Sequence, residues 1–228
     1  MTFTQLKTYL ATYILRRPEL LASDDLLLNV AVNAGHKQIQ LDGDFRCMEQ
    51  HATLVMPAGS VEAVKPSLFA MEYKRARSVW NTSAGVRTSP IIASTETEVV
   101  NLKSVIKQTR GLDSVTTQEY FQRWFERELG ICLMIPPAVS TTVLVDYYAF
   151  LPEYVLDSDT DYFSQNYWLC LLYGAAAQAS VAGFEDARAG VFSKVYEQLL
   201  GDAVKTDTQY KSGGIVKTSP AAPHGTGG

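Results

Sequence analysis

The sequence predicts an α+β protein that is mainly helical: a helical layer, a small antiparallel β unit and a flexible C-terminal tail. Three observations predict it. Apolar residues recur every four positions near both ends of the chain, at Leu6, Leu10 and Ile14 and again at Ala187, Val191, Val195 and Leu199, the spacing of one helix face. Between them Val143, Val145 and Tyr147 alternate with Thr142, Leu144, Asp146 and Tyr148, a half-buried antiparallel pattern. Past Tyr210 the chain becomes KSGGIVKTSPAAPHGTGG, too rich in Gly, Pro, Ser and Thr to fold without a partner.

The elements follow in order. Thr2 and Gln5 fit a capping box that opens the first helix, and Arg16-Arg17-Pro18 closes it. Ser23, Asp24 and Asp25 open a second helix running to about Gln40, and Asp42-Gly43-Asp44 marks a turn. Phe45 to Val64 reads as a hairpin with Met48, Ala52, Leu54 and Met56 on one face and Met56-Pro57-Ala58-Gly59 as a type I turn. Residues 65–101 mix periods and read as short exposed strands and loops. Thr116 and Glu119 make a capping box for a helix through Leu129, with Tyr120, Phe121, Trp124 and Phe125 as its heavy side chains and Gly130 as its cap. A second hairpin follows, with Pro136-Pro137 between its strands. Asp161 caps a long helix ending near Gly183 with Phe163, Cys170, Gly174, Ala177 and Val181 inward, and Gly174–Ala177 leaves room for a close helix crossing.

Composition narrows the function classes. A chain of 228 residues with 46% hydrophobic and 19% charged residues is an ordinary globular chain able to bury a core. A net charge of −4 argues against general affinity for nucleic acid, which needs a basic face. The longest apolar-to-small run, Tyr167–Ala177, is far short of a membrane span, and MTFTQLKTYL carries no signal-peptide pattern. Cys47, Cys132 and Cys170 allow no disulfide framework or zinc knuckle and read as buried hydrophobes in a protein made in a reducing cytoplasm.

No catalytic, cofactor-binding or metal-binding residue is predicted. Asp157, Asp159 and Asp161 resemble the start of a calcium loop, but Tyr162 and Trp168 stand where that loop needs glycine and a bidentate carboxylate. An acidic helix cap explains DSDTD instead. His36 lies in a polar helical segment, His51 on the polar face of a strand and His224 in the tail, with no catalytic motif around them. Asp146 is far in sequence from any histidine. Lys74, Arg75 and Arg77, beside Tyr73 and Trp80, are the possible nucleic-acid contact; the competing reading is a solvated face balanced by Glu62 and Glu72. The aromatic load of Tyr147, Tyr148, Phe150, Tyr154, Tyr162, Phe163, Tyr167, Trp168 and Tyr173 divides evenly between core and subunit contact, with Tyr147, Tyr162, Tyr167 and Trp168 as contact candidates.

The order of these elements, with the phrases DFRCMEQHATLVMPAGS, YYAFLP, YFSQNYWLCLLYGAAAQAS, GFEDA and AGVFSKVYEQLLGDAV, resembles the head-to-tail adaptor proteins of tailed bacteriophages, of the tail tubular protein A type. The resemblance covers residues 1 to about 205. It implies a helix-bundle core with a small antiparallel β-rich insertion, divided as an N-terminal helix pair (1–44), a β-rich insertion with loops (45–113), a helix, hairpin and C-terminal helix pair (114–206) and a partner-docking tail (207–228). It further implies a non-enzymatic virion protein, assembled in the host cytoplasm, forming a homo-oligomeric ring of commonly twelve copies at the head-tail junction. Portal protein and a tail nozzle or tail-tube protein are its expected partners. Ile215, Val216 and Lys217 are the expected portal anchor. DNA would pass through the lumen without specific binding, and acidic walls would repel its phosphates. The alternative function is a nucleic-acid-binding module using Tyr73–Arg77. The Ser/Thr-rich stretch 81–100 matches nothing in that pattern.

Overall fold

The computed structural model describes residues 1–23, 25–64, 72–83, 86–99, 101, 123–127, 130–180 and 188–211. The chain forms two compact units, a helical one from Met1–Arg46 and Glu153–Gly228 and a β one from Cys47–Pro152.

In the helical unit α1 (Phe3–Tyr9) opens as expected: the Gln5 amide donates to Thr2 Oγ1 and the Thr2 amide to Gln5 Oε1. The helix widens into a π-turn at Leu10–Ile14 and ends where Arg16 takes φ 57°, the one non-glycine residue in the left-handed region among the described residues. That turn lets the Arg17 amide reach back to the Ala11 carbonyl at 2.7 Å, satisfying a terminal acceptor before Pro18 stops the helix. A short α2 (Leu20–Ser23) precedes α3 (Asp25–Asp42), whose inward stripe is Leu28, Ala31, Val32, Gly35, His36 and Ile39.

After the β unit, Asp161 caps α4 (Tyr162–Asn166) through a reciprocal bond with Ser164. The single long helix expected there is broken at Tyr167 (φ −131°, ψ 29°), after which α5 (Trp168–Ala179) resumes. Residues 181–187, including Val181, Gly183 and Ala187, lie outside the described residues. The small-residue run does admit a neighbour: a Cβ on Gly35 of α3 would lie 2.5 Å from the Ala175 amide nitrogen, and one on Gly174 would lie 3.1 Å from the Tyr196 ring. Tyr196 belongs to α6 (Ala189–Lys211). The inner face of α6 starts with Phe192 and Tyr196, one position on from the expected stripe, and continues with Ala203 and Asp207, which are in phase with it; Val191 is exposed. Phe192 and Tyr196 bury more apolar area than the valines beside them and take the core side.

The β unit overturns the expected architecture. It is a seven-stranded, nearly closed, barrel-like mixed sheet with its own core, not a small insertion on a helix bundle. The strands are β1 (Glu49–Met56), β2 (Glu62–Val64), β3 (Tyr73–Ser83), β4 (Val86–Ala93), β5 (Arg123–Glu126), β6 (Gly130–Leu133) and β7 (Thr141–Ala149). Their order is β1-β7-β3-β4-β5-β6-β2. Neither expected hairpin forms, because β1 pairs with β7 and β2 with β6, all antiparallel. Segments 49–64 and 130–149 thus run as one two-stranded ribbon, from Glu49 opposite Tyr148, through Met56 opposite Thr141, to Val64 opposite Gly130. The ribbon bends at Pro57 and Pro136-Pro137. The ring nitrogens of these prolines carry no hydrogen to donate to a ladder, so pairing stops and the ribbon turns a corner. The Gly59 amide donates to the Pro137 carbonyl across that corner, and the Ser60 amide donates to the Pro57 carbonyl. The turn is therefore Pro57–Ser60, with Gly59 at φ 72° in its third position rather than its fourth.

The helix expected through Leu129 is strand β5 in its described part, 123–126; Thr116, Glu119, Tyr120 and Phe121 lie outside the described residues. Trp124 faces the barrel core, and its neighbour Phe125 joins an outer cluster with Val99, Cys132, Met134 and Ile135. Gly130 is the first residue of β6, where a Cβ would meet Glu62 and Ala63, rather than a helix cap. The region read as short strands and loops holds the long β3 and β4, paired up to Ser83 opposite Val86. Register shifts at Tyr73/Arg75, Ala76/Ser78 and Asn81/Thr82 are bulges that curve the sheet and scramble the two-residue period. The alternation read for β1 and β7 holds: Ala52, Leu54, Met56, Val143, Val145 and Tyr147 fill the barrel.

Candidate assembly surfaces and buried polar hubs

Two buried polar hubs organise the helical unit. His36, 1% exposed, sits on the apolar stripe of α3. Its Nε2 lies 2.7 Å from Asp161 Oδ2 and its Nδ1 lies 3.2 Å from the Gln40 side-chain amide. The Gln40 amide nitrogen lies almost equally close to Nε2, at 3.3 Å, so it is the Asp161 carboxylate, which can only accept, that draws a proton onto Nε2. Asp161 also accepts from the Tyr154 hydroxyl at 2.5 Å and the Ser164 amide at 2.8 Å. Burial pushes the Asp161 carboxyl up, but the His36 bond and charge, with the Ser164 and Tyr154 bonds, outweigh it and hold the group below its ordinary range. Burial and the adjacent Asp161 charge push the Tyr154 hydroxyl far up, so it stays a donor. Asn33 completes the hub, exchanging two hydrogen bonds with the Tyr154 backbone.

The second hub is Asp207, 1% exposed near the end of α6. It accepts from the Arg46 amide (2.9 Å), Arg46 Nε (3.3 Å) and the Tyr162 hydroxyl (2.9 Å). An acid near a helix C-terminus opposes the helix dipole, and these three donors offset that. Lys7 bridges Asp25 (2.9 Å) and Asp157 (3.1 Å), and its Asp157 bond draws that carboxyl down. Each acid of DSDTD thus has separate work: Asp157 with Lys7, Asp159 accepting from the Val155 and Leu156 amides, Asp161 capping α4.

Neither hub was legible at the residue level. His36 follows Val32 and precedes Ile39 on the buried stripe, a signal that the polar neighbours Lys37 and Gln38 mask. Asp207 continues the four-residue spacing of Val191, Val195 and Leu199 through Ala203, but a carboxylate near a helix end reads as solvated until its long-range donors are known. Asp146, sequence-distant from every histidine, stands directly opposite His51 in the β1–β7 ladder. It accepts from Ser78 Oγ at 2.7 Å and Trp80 Nε1 at 3.0 Å. The Ser/Thr-rich stretch carried an unread capping signature: Thr95 and Glu98 exchange amide-to-side-chain bonds that open a helical stretch at 96–99.

The contact candidates separate. Tyr147 is buried in the barrel, stacked on Tyr73, and so falls on the core side of the aromatic question. Tyr162, Tyr167 and Trp168 are half-buried in the helical unit. Tyr162 and Tyr167 pack at 5.6 Å. Tyr167 and Trp168 line a groove of about 290 Å³ between α5 and α6, with Leu169, Leu199 and Asp202. Trp168 meets Tyr9 edge-on at 5.1 Å, and Tyr9 packs on the exposed Tyr13. On β3, Arg77 pairs with Glu49 at 2.9 Å and Arg75 lies over the Tyr148 ring; Lys74 is half-buried. Ile215, Val216 and Lys217 lie outside the described residues. No helix among the described residues is long and apolar enough to cross a membrane, and no group of three or more His, Cys, Asp or Glu among them is placed to hold a metal.

No curated protein matches the chain. A family model does, that of the SU10 adaptor protein, over residues 1–219. The match runs through both units and past the end of α6, so the chain belongs to the SU10 adaptor family of phage head-to-tail adaptors and is a virion structural protein that associates with other head or tail components.

Proposed function

We propose that this adaptor is a non-enzymatic connector that forms a ring, of twelve copies, between portal and tail around the DNA exit channel. The observation that carries the reading is the family match over residues 1–219, which includes Ile215, Val216 and Lys217. These three residues anchor the chain on the portal, and the tail orders there. Trp168 and Tyr167, with Tyr162 behind them, contact the neighbouring subunit along the α5–α6 groove. Tyr147, inside the barrel, has no part in this. DNA slides through the lumen without specific contacts. The Arg77–Glu49 pair and the Arg75–Tyr148 stacking support a solvated, self-balanced face on β3 rather than a nucleic-acid site.

Electron microscopy and native mass spectrometry of the chain mixed with its portal are expected to show a closed ring on the portal. Deletion of residues 212–228 is expected to abolish that binding, and the tail of the wild-type chain should become protease-resistant in the complex. A chain that stays monomeric and ignores portal would overturn the reading.

A further inference from the structure

The helical unit exposes two apolar patches framed by opposite charge, and we infer that they are the two complementary halves of the contact between neighbouring copies. This rests on the ring reading above and names its surfaces. The first patch lies where the 154–159 segment meets α3. Two hydrogen bonds between Asn33 and the Tyr154 backbone, and the Lys7 bridge from Asp25 to Asp157, pin that segment along the first turns of α3. Leu26 and Val30 follow Asp25 and Asn29 by one position on α3, and Val155 and Leu156 crown the segment. Leu26 is 73% exposed and Val155 80%, with Val30 and Leu156 also open. The first turns of α3 and residues 153–159 carry four acids among their described residues, Asp25, Glu153, Asp157 and Asp159, of which Asp25 and Asp157 are bridged by Lys7.

The second patch lies where α1 ends beside the start of α6, joined by Arg188 donating to the Ile14 and Leu15 carbonyls. Tyr13 and Val191 (59%) are its exposed apolar side chains. Arg16 and Lys194 are exposed on the same two segments. Tyr13 continues through Tyr9 to Trp168, so the patch joins the groove already assigned to subunit contact.

Exposed apolar clusters of this kind mark association surfaces in soluble proteins. Their charge frames make each patch disfavour a copy of itself and favour the other. Two different surfaces meeting head to tail generate a ring when the rotation closes, whereas one self-complementary surface generates a dimer. The occupant of each patch is therefore the opposite patch of a second copy.

The test uses the full chain with Val155→Asp on the first patch and Val191→Asp on the second. Both positions are open to solvent, so melting temperatures should match wild type and separate a lost contact from a lost fold. Each variant alone is expected to lose assembly by roughly tenfold or more. An equal mixture should form discrete dimers that grow no further, because each variant keeps the patch its partner lacks. Wild-type assembly should weaken with salt. Variants that assemble like wild type, or a mixture that stays monomeric while wild type assembles, would refute this pair of surfaces and leave the ring standing. Wild-type chain that never assembles, alone or on portal, refutes the surfaces and the ring together.

Discussion

The helical unit and the barrel hold their shape by different means. The helical unit is registered by buried polar hubs: His36, Asp161, Tyr154 and Gln40 at one place, Asp207, Arg46 and Tyr162 at another. The barrel interior is filled by Ala, Leu, Met, Val, Ile, Tyr and Trp side chains, and its register comes from backbone ladders, three bulges and a proline corner. Helices satisfy their own backbone and can slide or rotate against one another, so directional side-chain bonds are what select one packing. Strands share backbone bonds with their neighbours, and a slip of one residue would turn the core face outward. Polarity inside the barrel would add nothing to that.

Glycine substitutions break the comparison hardest. Gly35→Ala drives a Cβ into the α5 backbone, and we expect a loss of about 3 kcal/mol or more from the helical unit in denaturant unfolding. Gly130→Ala meets the movable Glu62 side chain first, although Ala63 O is 2.8 Å away. Its expected loss is smaller, about 1 kcal/mol, from the barrel. In a Trp168→Phe background the fluorescence of Trp80 and Trp124 reports the barrel, and far-UV circular dichroism at 222 nm the helical unit. Equal losses at both sites would contradict the difference drawn here.

Asp207→Ala comes next. It strands the Tyr162 hydroxyl and the Arg46 amide and should cost roughly 2–3 kcal/mol by thermal unfolding. A loss under about 0.5 kcal/mol would show that water replaces the hub.

Acid separates the two units more gently. The folded Asp161 carboxyl titrates below its unfolded value, so its stabilisation is present above that value, near pH 4, and fades as pH falls through the folded one. The helical signal should weaken below about pH 4, and Asp161→Asn should flatten that dependence. An unchanged pH profile in the variant would move the acid sensitivity to other carboxylates. The smallest effect is a gain. Arg16 holds φ 57°, where glycine carries no Cβ penalty, and Arg16→Gly should raise stability by about 0.5–1 kcal/mol. A loss would mean that the arginine side chain contributes more than its backbone costs.

Much of the helical unit was legible because its signals are local. The Thr2–Gln5 box, the Asp161–Ser164 cap, the stop at Arg16–Pro18 and the small residues of α5 involve neighbours within one turn. The alternation of β1 and β7 was legible for the same reason. What failed was pairing. The stretches 45–64 and 130–149 look like two hairpins because each holds two strand-like runs around a proline turn, yet each run takes its partner from the other stretch. The β3 bulges hid a long strand, and Asp207 was hidden because its donors, Arg46 and Tyr162, are far away in sequence.

By itself, then, the sequence determined the caps at Thr2 and Asp161 and the stop at Arg16–Pro18, which residues alternate toward a core, the charge balance and, through the order of its elements, membership of a phage adaptor family. The tertiary structure decided that the middle of the chain is a nearly closed barrel, that His36 meets Asp161 and Asp207 meets Arg46, and which aromatic residues stay at the surface. The division has one physical cause. Capping, helix periodicity and alternation are set by residues a few positions apart, while strand partners and long-range polar bonds join residues separated by up to 174 positions, and nothing local marks which will meet.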